Sequence, residues 1–96
     1  MNAYRSAILH LNLHREFFAQ NAAGMKRIEY RSRTPDWRRR LEGRHYDAIQ
    51  FRDGYASAAP EMLVKCFGVR RSGKGRHADY AIRLGRILKI KRWRRR

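Results

Sequence analysis

Cysteine is nearly absent from this chain. Cys66 stands alone among 96 residues, which excludes an intramolecular disulfide and any all-cysteine metal site. Its neighbours, Met62-Leu63-Val64-Lys65-Cys66-Phe67, read as the surroundings of a buried, unreactive thiol. No uninterrupted apolar run approaches the roughly 20 residues that a membrane-spanning helix needs. The first residues, Met1-Asn2-Ala3-Tyr4-Arg5, lack the basic stretch and following apolar run of a secretory signal. The cytoplasm is the expected compartment, with no membrane partner. Neither the G-x-x-x-x-G-K-[ST] phosphate loop nor a Gly-x-Ser-x-Gly nucleophile elbow is present. His10 and His14 have helical metal-ligand spacing but fall in a stretch that reads as strand, and His45 and His77 stand apart. No metal and no cofactor are expected.

Acidic residues are also scarce, eight against twenty-four Lys and Arg, and the formal net charge is +16. Such an excess destabilises a compact chain by self-repulsion and draws in a polyanion. It is unevenly placed: about +1 over residues 1–20, +5 over 21–45 and +10 over 46–96. The partner is therefore expected along the later two thirds of the chain, and RNA or a nucleotide-like ligand fits that field best. A hydrophobic fraction of 43% is sufficient for one core, and the length suits a single domain, residues 1–96, with residues 89–96 as a basic tail.

Hydrophobic patterning predicts short strands with two small helices near the front. Ser6–Leu13 alternates and reads as a strand, and Arg15–Ala23 reads as a helix released at Gly24. Lys26–Arg33 alternates again, with Ile28 and Tyr30 on one side and Arg27, Glu29, Arg31 and Arg33 on a charged side. Thr34-Pro35-Asp36 starts a brief helix that stops at Gly43, with Trp37 and Leu41 as its buried stripe. Strands follow at Tyr46–Phe51 and Glu61–Val69, then a basic loop over Arg70–Arg76, and a last strand or strand pair over Tyr80–Ile90 around Gly85. The fold class is α+β, a small curled sheet or barrel.

Three features carry chemistry. The tail from Lys89 to Arg96 holds six bases, no acid and one aromatic. Lys91, Arg92 and Arg94 can grip phosphates there while Trp93 stacks on a base, or Trp93 can cap the core. The loop bearing Arg70, Arg71, Lys74 and Arg76 can approach an anion through its glycines, or be a plain mobile hairpin. The third is Gly24-Met25-Lys26-Arg27-Ile28-Glu29-Tyr30-Arg31. Arginines around a partly desolvated Lys26 favour its neutral form while Glu29 opposes that, so Lys26 can serve as base or nucleophile and Glu29 as proton shuttle. The same residues also read as a charged strand face with a Glu–Arg pair.

The segment Gly24-x-Lys26-x-x-Glu29-x-Arg31 resembles the G-x-K-x-x-E-x-R signature of the ASCH domain family, relatives of the PUA domain. The resemblance covers roughly residues 6–93: a leading strand, a helix before the motif, a Trp-containing turn after it, and a closing strand similar to Ile82-Arg83-Leu84-Gly85-Arg86-Ile87-Leu88. It implies a PUA-like β-barrel with a cleft and a family proposed to bind RNA. Some bacterial members are similar to small hydrolases, either amidohydrolases of N4-acylated cytosine nucleosides or ribonucleases. Carried onto this chain, Lys26 is the central catalytic group, with Glu29 and Arg31 lining the cleft. Arg33, Trp37, Arg52 and Tyr55 are expected beside it as substrate contacts. Some hydrolytic members have a threonine nucleophile where this chain has Glu29, so a Glu29-activated water or direct attack by Lys26 has to replace that route. Three functions follow as expectations: a hydrolase on RNA or a modified pyrimidine nucleoside, a non-catalytic RNA-binding module, and a structural component of a ribonucleoprotein.

Overall fold

In the computed structural model, residues 7–24 and 27–93 are described. The chain runs β1 (Ile8–Leu13), α1 (Arg15–Ala22), β2 (Ile28–Ser32), α2 (Pro35–Leu41), β3 (Ala48–Asp53), β4 (Glu61–Ser72), a 3-10 turn at Gly75–His77, and β5 (Asp79–Lys91). The five strands form one sheet in the order β1-β3-β4-β5-β2. β1 lies parallel to β3, and every other pairing is antiparallel. This is a curled mixed sheet, half of a barrel, with two short helices, and it agrees with the α+β expectation at that level.

Curling has a visible cause in the long β4–β5 ladder. The register shifts between Leu63 and Val64, between Val64 and Cys66, and between Cys66 and Gly68. Each bulge adds local twist and bends its strand. Gly85 permits the bend at close quarters, because a Cβ there would meet the Phe67 ring at 2.7 Å. The sheet curls far enough that its two edges are joined by side chains. Arg31 on β2 donates to the Asn12 carbonyl on β1 at 3.3 Å, although the two strands lie at opposite ends of the sheet order.

Alternating residues of the strands fill the concave side. Leu9, Leu11 and Leu13 of β1, Ile49 and Phe51 of β3, Met62, Val64 and Cys66 of β4, and Tyr80, Ile82 and Leu84 of β5 form the core. Phe18 of α1 and Leu41 of α2 are buried against them. The α2 start matches its sequence signals: Thr34 Oγ1 accepts from the Trp37 N–H at 3.2 Å, and Pro35 takes the first helical position. Trp93 packs on Phe18 with ring centroids 5.1 Å apart. Arg92 adopts the left-handed conformation, φ 58°, where the chain turns after β5.

Two expectations are corrected and one is resolved. The stretch from Arg70 to Arg76 is not all loop: Arg70, Arg71 and Ser72 extend β4, paired with Ala81, Tyr80 and Asp79. The tail begins later than residue 89, because Lys89, Ile90 and Lys91 pair with Leu63, Met62 and Glu61 inside the β4–β5 ladder. Of the two readings for Tyr80–Ile90, strand or strand pair, the single strand holds, bent around Gly85 and not broken there. Lys26, Arg94 and the other residues of 1–6, 25–26 and 94–96 lie outside the described residues.

Candidate ligand cleft

The site is built where the β1–α1 junction, β2 and the turn after β3 converge. Gly24, at φ 72°, ends α1 in a conformation that favours glycine, and the chain then enters β2. In β2 the faces are the reverse of those the apolar pattern suggests. Glu29 is 4% exposed and Tyr30 is 53% exposed. The registers explain this: Glu29 pairs with Ile82 and Arg31 with Tyr80, two core residues of β5, while Tyr30 pairs with Ala81 on the outside. A strand with charge on its inner face is costly unless the charges satisfy one another. They do, with Arg31 Nη2 lying 2.7 Å from Glu29 Oε2.

The pair faces a cleft of about 400 Å³. Asn12, Leu13, His14 and Phe17 supply one wall, Glu29, Tyr30 and Arg31 the second, and Gly54 with Tyr55 the third. Tyr55 is 85% exposed, so its ring stands at the mouth. Arg31 carries several duties at once. Its guanidinium holds Glu29, donates to the Asn12 carbonyl, and lies 5.1 Å from the Trp37 ring centroid. Its Nε is buried with no hydrogen-bond partner among the described residues.

The structure brings Glu29, Arg31 and Tyr55 together and disperses the other expected substrate contacts. Trp37 packs against the core, with Arg31 on its ring and Arg40 at 4.2 Å from the same centroid. It organises guanidiniums and does not line the cleft. Arg33 clamps the β4–β5 turn, donating to the Ser72 and Asp79 carbonyls at 3.1 and 3.2 Å. Arg52 lies on the other face of β3, in register with Asn12 and Glu61, and donates to the Ala56 carbonyl. His14 and Phe17 were missed by sequence reasoning. Their signal was position, immediately after a strand and opening the helix that precedes Gly24.

The expected nucleic-acid cations divide in the same way. Arg71 is bound to Glu42 at 2.6 Å. Lys91 reaches Glu61 at 3.9 Å, and Arg92 bonds the same carboxylate and the Ala59 carbonyl. Trp93 caps the core. Arg70, Lys74 and Arg76 are exposed and make no ion pair with the described residues.

A second and larger hollow, about 620 Å³, lies between the 42–46 loop and the middle of β4. Its polar centre is Glu42, which accepts from Arg71 and from the Tyr80 hydroxyl. The hydrogen bond from Arg71 and then that from Tyr80 hold the Glu42 carboxyl below its usual range. Burial, with the Glu42 carboxylate beside it, raises the Tyr80 hydroxyl above its usual value. Cys66 lines this hollow from the core, and burial pushes its thiol up. Glu42, Arg71 and Tyr80 at its centre are already bonded to one another, and Arg70 on its lining is exposed, so size alone does not make it the better candidate.

No family model, curated protein or solved structure matches the chain. No helix among the described residues is long and apolar enough to cross a membrane.

Proposed function

We propose that the cleft receives the base of a modified pyrimidine nucleoside or of an RNA residue, and that the chain hydrolyses it in the manner of the ASCH hydrolases it resembles. The observation that carries this reading is the buried Glu29–Arg31 pair facing a cleft of about 400 Å³. That volume falls in the range of small-ligand sites. A carboxylate beside a guanidinium offers acceptor and donor side by side, which suits the polar edge of a pyrimidine. Phe17 and Tyr55 offer ring faces on which a flat base can stack.

On an N4-acylated cytidine the step balances without a co-reactant beyond water. The water oxygen bonds to the acyl carbon, the bond from that carbon to N4 breaks, and the amine takes up the proton. A carboxylic acid and cytidine leave. Lys26 is the group that the resemblance puts at the centre. Glu29 orients the water and accepts its proton, and Arg31, at 2.7 Å, fixes the direction of the Glu29 carboxylate.

Incubation with N4-acetylcytidine, followed by chromatography for cytidine, tests this. Lys26→Ala and Glu29→Gln are each expected to lower turnover by about 10²-fold or more. Absence of any conversion of N4-acetylcytidine and of any cleavage of labelled single-stranded RNA by the parent protein overturns the hydrolase.

The charge of +16 favours a second reading, a non-catalytic RNA-binding module. A neutral nucleoside gains little from such a field, whereas a polynucleotide gains at every phosphate.

A further inference from the structure

The convex face of the sheet touches the cleft only at Tyr30, and neither helix contributes its core residue there. Along the β4–β5 ladder the acidic residues stand only at the ends: Glu61 opposite Lys91, and Asp79 opposite Ser72. Between them the two strands carry Lys65, Arg70, Arg71, Arg83, Arg86 and Lys89 and no acid. Arg71 is taken by Glu42; the others make no ion pair with the described residues.

Two exposed aromatics sit in this basic field. Tyr30, 53% exposed, pairs with Ala81, which on its other side faces Arg70. Phe67, 59% exposed, lies over Gly85, whose missing side chain leaves the ring its place. Lys65 Nζ is 6.0 Å from the Phe67 centroid. Ala81, Arg83 and Gly85 fall on the same side of β5, so the order along the strand is Tyr30, then Arg83, then Phe67. Four residues of strand separate the two positions by about 13 Å along β5, a span that an extended single strand covers in a few nucleotides.

We infer that this convex strip along β5 is a binding site for single-stranded nucleic acid, with Phe67 and Tyr30 stacking on bases and Arg83, Arg70 and Lys65 contacting phosphates. The chemistry that selects this partner is the alternation of ring and cation. Free phosphate or polyphosphate offers nothing for exposed rings to stack on, and paired bases in a duplex hide their faces. The inference deepens the RNA-binding reading by naming the surface, and it is independent of turnover in the cleft.

Fluorescence anisotropy of a labelled short oligouridylate, titrated at several salt concentrations, tests it. Phe67→Ala is expected to weaken binding about fivefold or more. Phe67→Leu, which keeps the packing over Gly85 but removes the ring, is expected to behave like Phe67→Ala. Arg83→Ala is expected to reduce the log–log salt slope by about 0.7. A melting temperature near that of the parent identifies a variant that is folded. Tyr30 also borders the cleft, so the Phe67 and Arg83 variants decide. Parent-like binding by Phe67→Ala and by Arg83→Ala overturns the site while leaving RNA binding elsewhere. Absence of oligouridylate binding by the parent overturns the RNA-binding reading with it. Preference of the parent for a duplex of equal length, for inorganic polyphosphate or for anionic phospholipid vesicles also overturns the strip as a single-strand site.

Discussion

Replacing Arg31 by methionine removes the guanidinium that lies 2.7 Å from the buried Glu29 carboxylate. Glu29 retains 5% side-chain exposure and Arg31 retains 21%. Breaking a buried pair by removing one partner typically costs about 3–5 kcal/mol, because the remaining charge is left uncompensated. Partial solvent access at Arg31 and the further contact that Glu29 makes reduce the expectation to about 2–4 kcal/mol. For a domain of this size each kcal/mol lowers the melting temperature by about 4–8 °C, so the single variant loses much of a margin of about 5–15 kcal/mol. The double variant Glu29→Met with Arg31→Met removes both charges and is expected to return to within about 1.5 kcal/mol of the parent. Urea titration followed by far-ultraviolet circular dichroism, with the slope compared across variants, measures both. A double variant as unstable as Arg31→Met refutes the assignment of that cost to the stranded carboxylate.

Cys66, 7% exposed with its thiol pushed up by burial, is expected to resist iodoacetamide in the folded protein at pH 8 and to react freely in urea; rapid native alkylation refutes its burial. Trp93→Ala removes a half-buried ring from Phe18 and is expected to cost about 1.5–3 kcal/mol by urea titration, below the 3–5 of a fully buried aromatic. The Glu42 carboxyl is depressed in the folded state, so its contribution is complete above the unfolded value near pH 4.3 and is lost as pH falls through the folded value. Glu42→Gln is expected to flatten the acid limb of stability against pH. The Tyr80 hydroxyl is raised, so its contribution is complete below about pH 10 and is lost as pH climbs through the folded value; Tyr80→Phe is expected to flatten the alkaline limb.

Local signals placed most elements within a few residues. Thr34-Pro35-Asp36 opened α2 because capping is settled by neighbours in the chain. The strand faces of β2 were not legible in the same way. Alternation of Ile28, Glu29, Tyr30 and Arg31 fixes that odd and even residues point apart, but apolar character chose the wrong side as the inner one. The arrangement depends on Arg31 finding Glu29 and the Asn12 carbonyl, contacts that exist only once the sheet has curled. Likewise the basic run from Lys89 looked like a tail because nothing nearby shows that Glu61, about 30 residues earlier, receives Lys91 and Arg92. Charge composition led to the expectation of a polyanion; only the folded structure showed which cations remain exposed.

An outermost strand normally offers its unpaired carbonyls to any passing chain. In this molecule two of those on β1 are already capped, at Asn12 by Arg31 and at His10 by Arg40 at 3.0 Å, with both guanidiniums braced on one indole. The caps are charged and too bulky for another backbone to slip beneath. Intermolecular strand addition on that border is thereby discouraged, so the residues that close the half-barrel also guard it against self-association into fibrous aggregates.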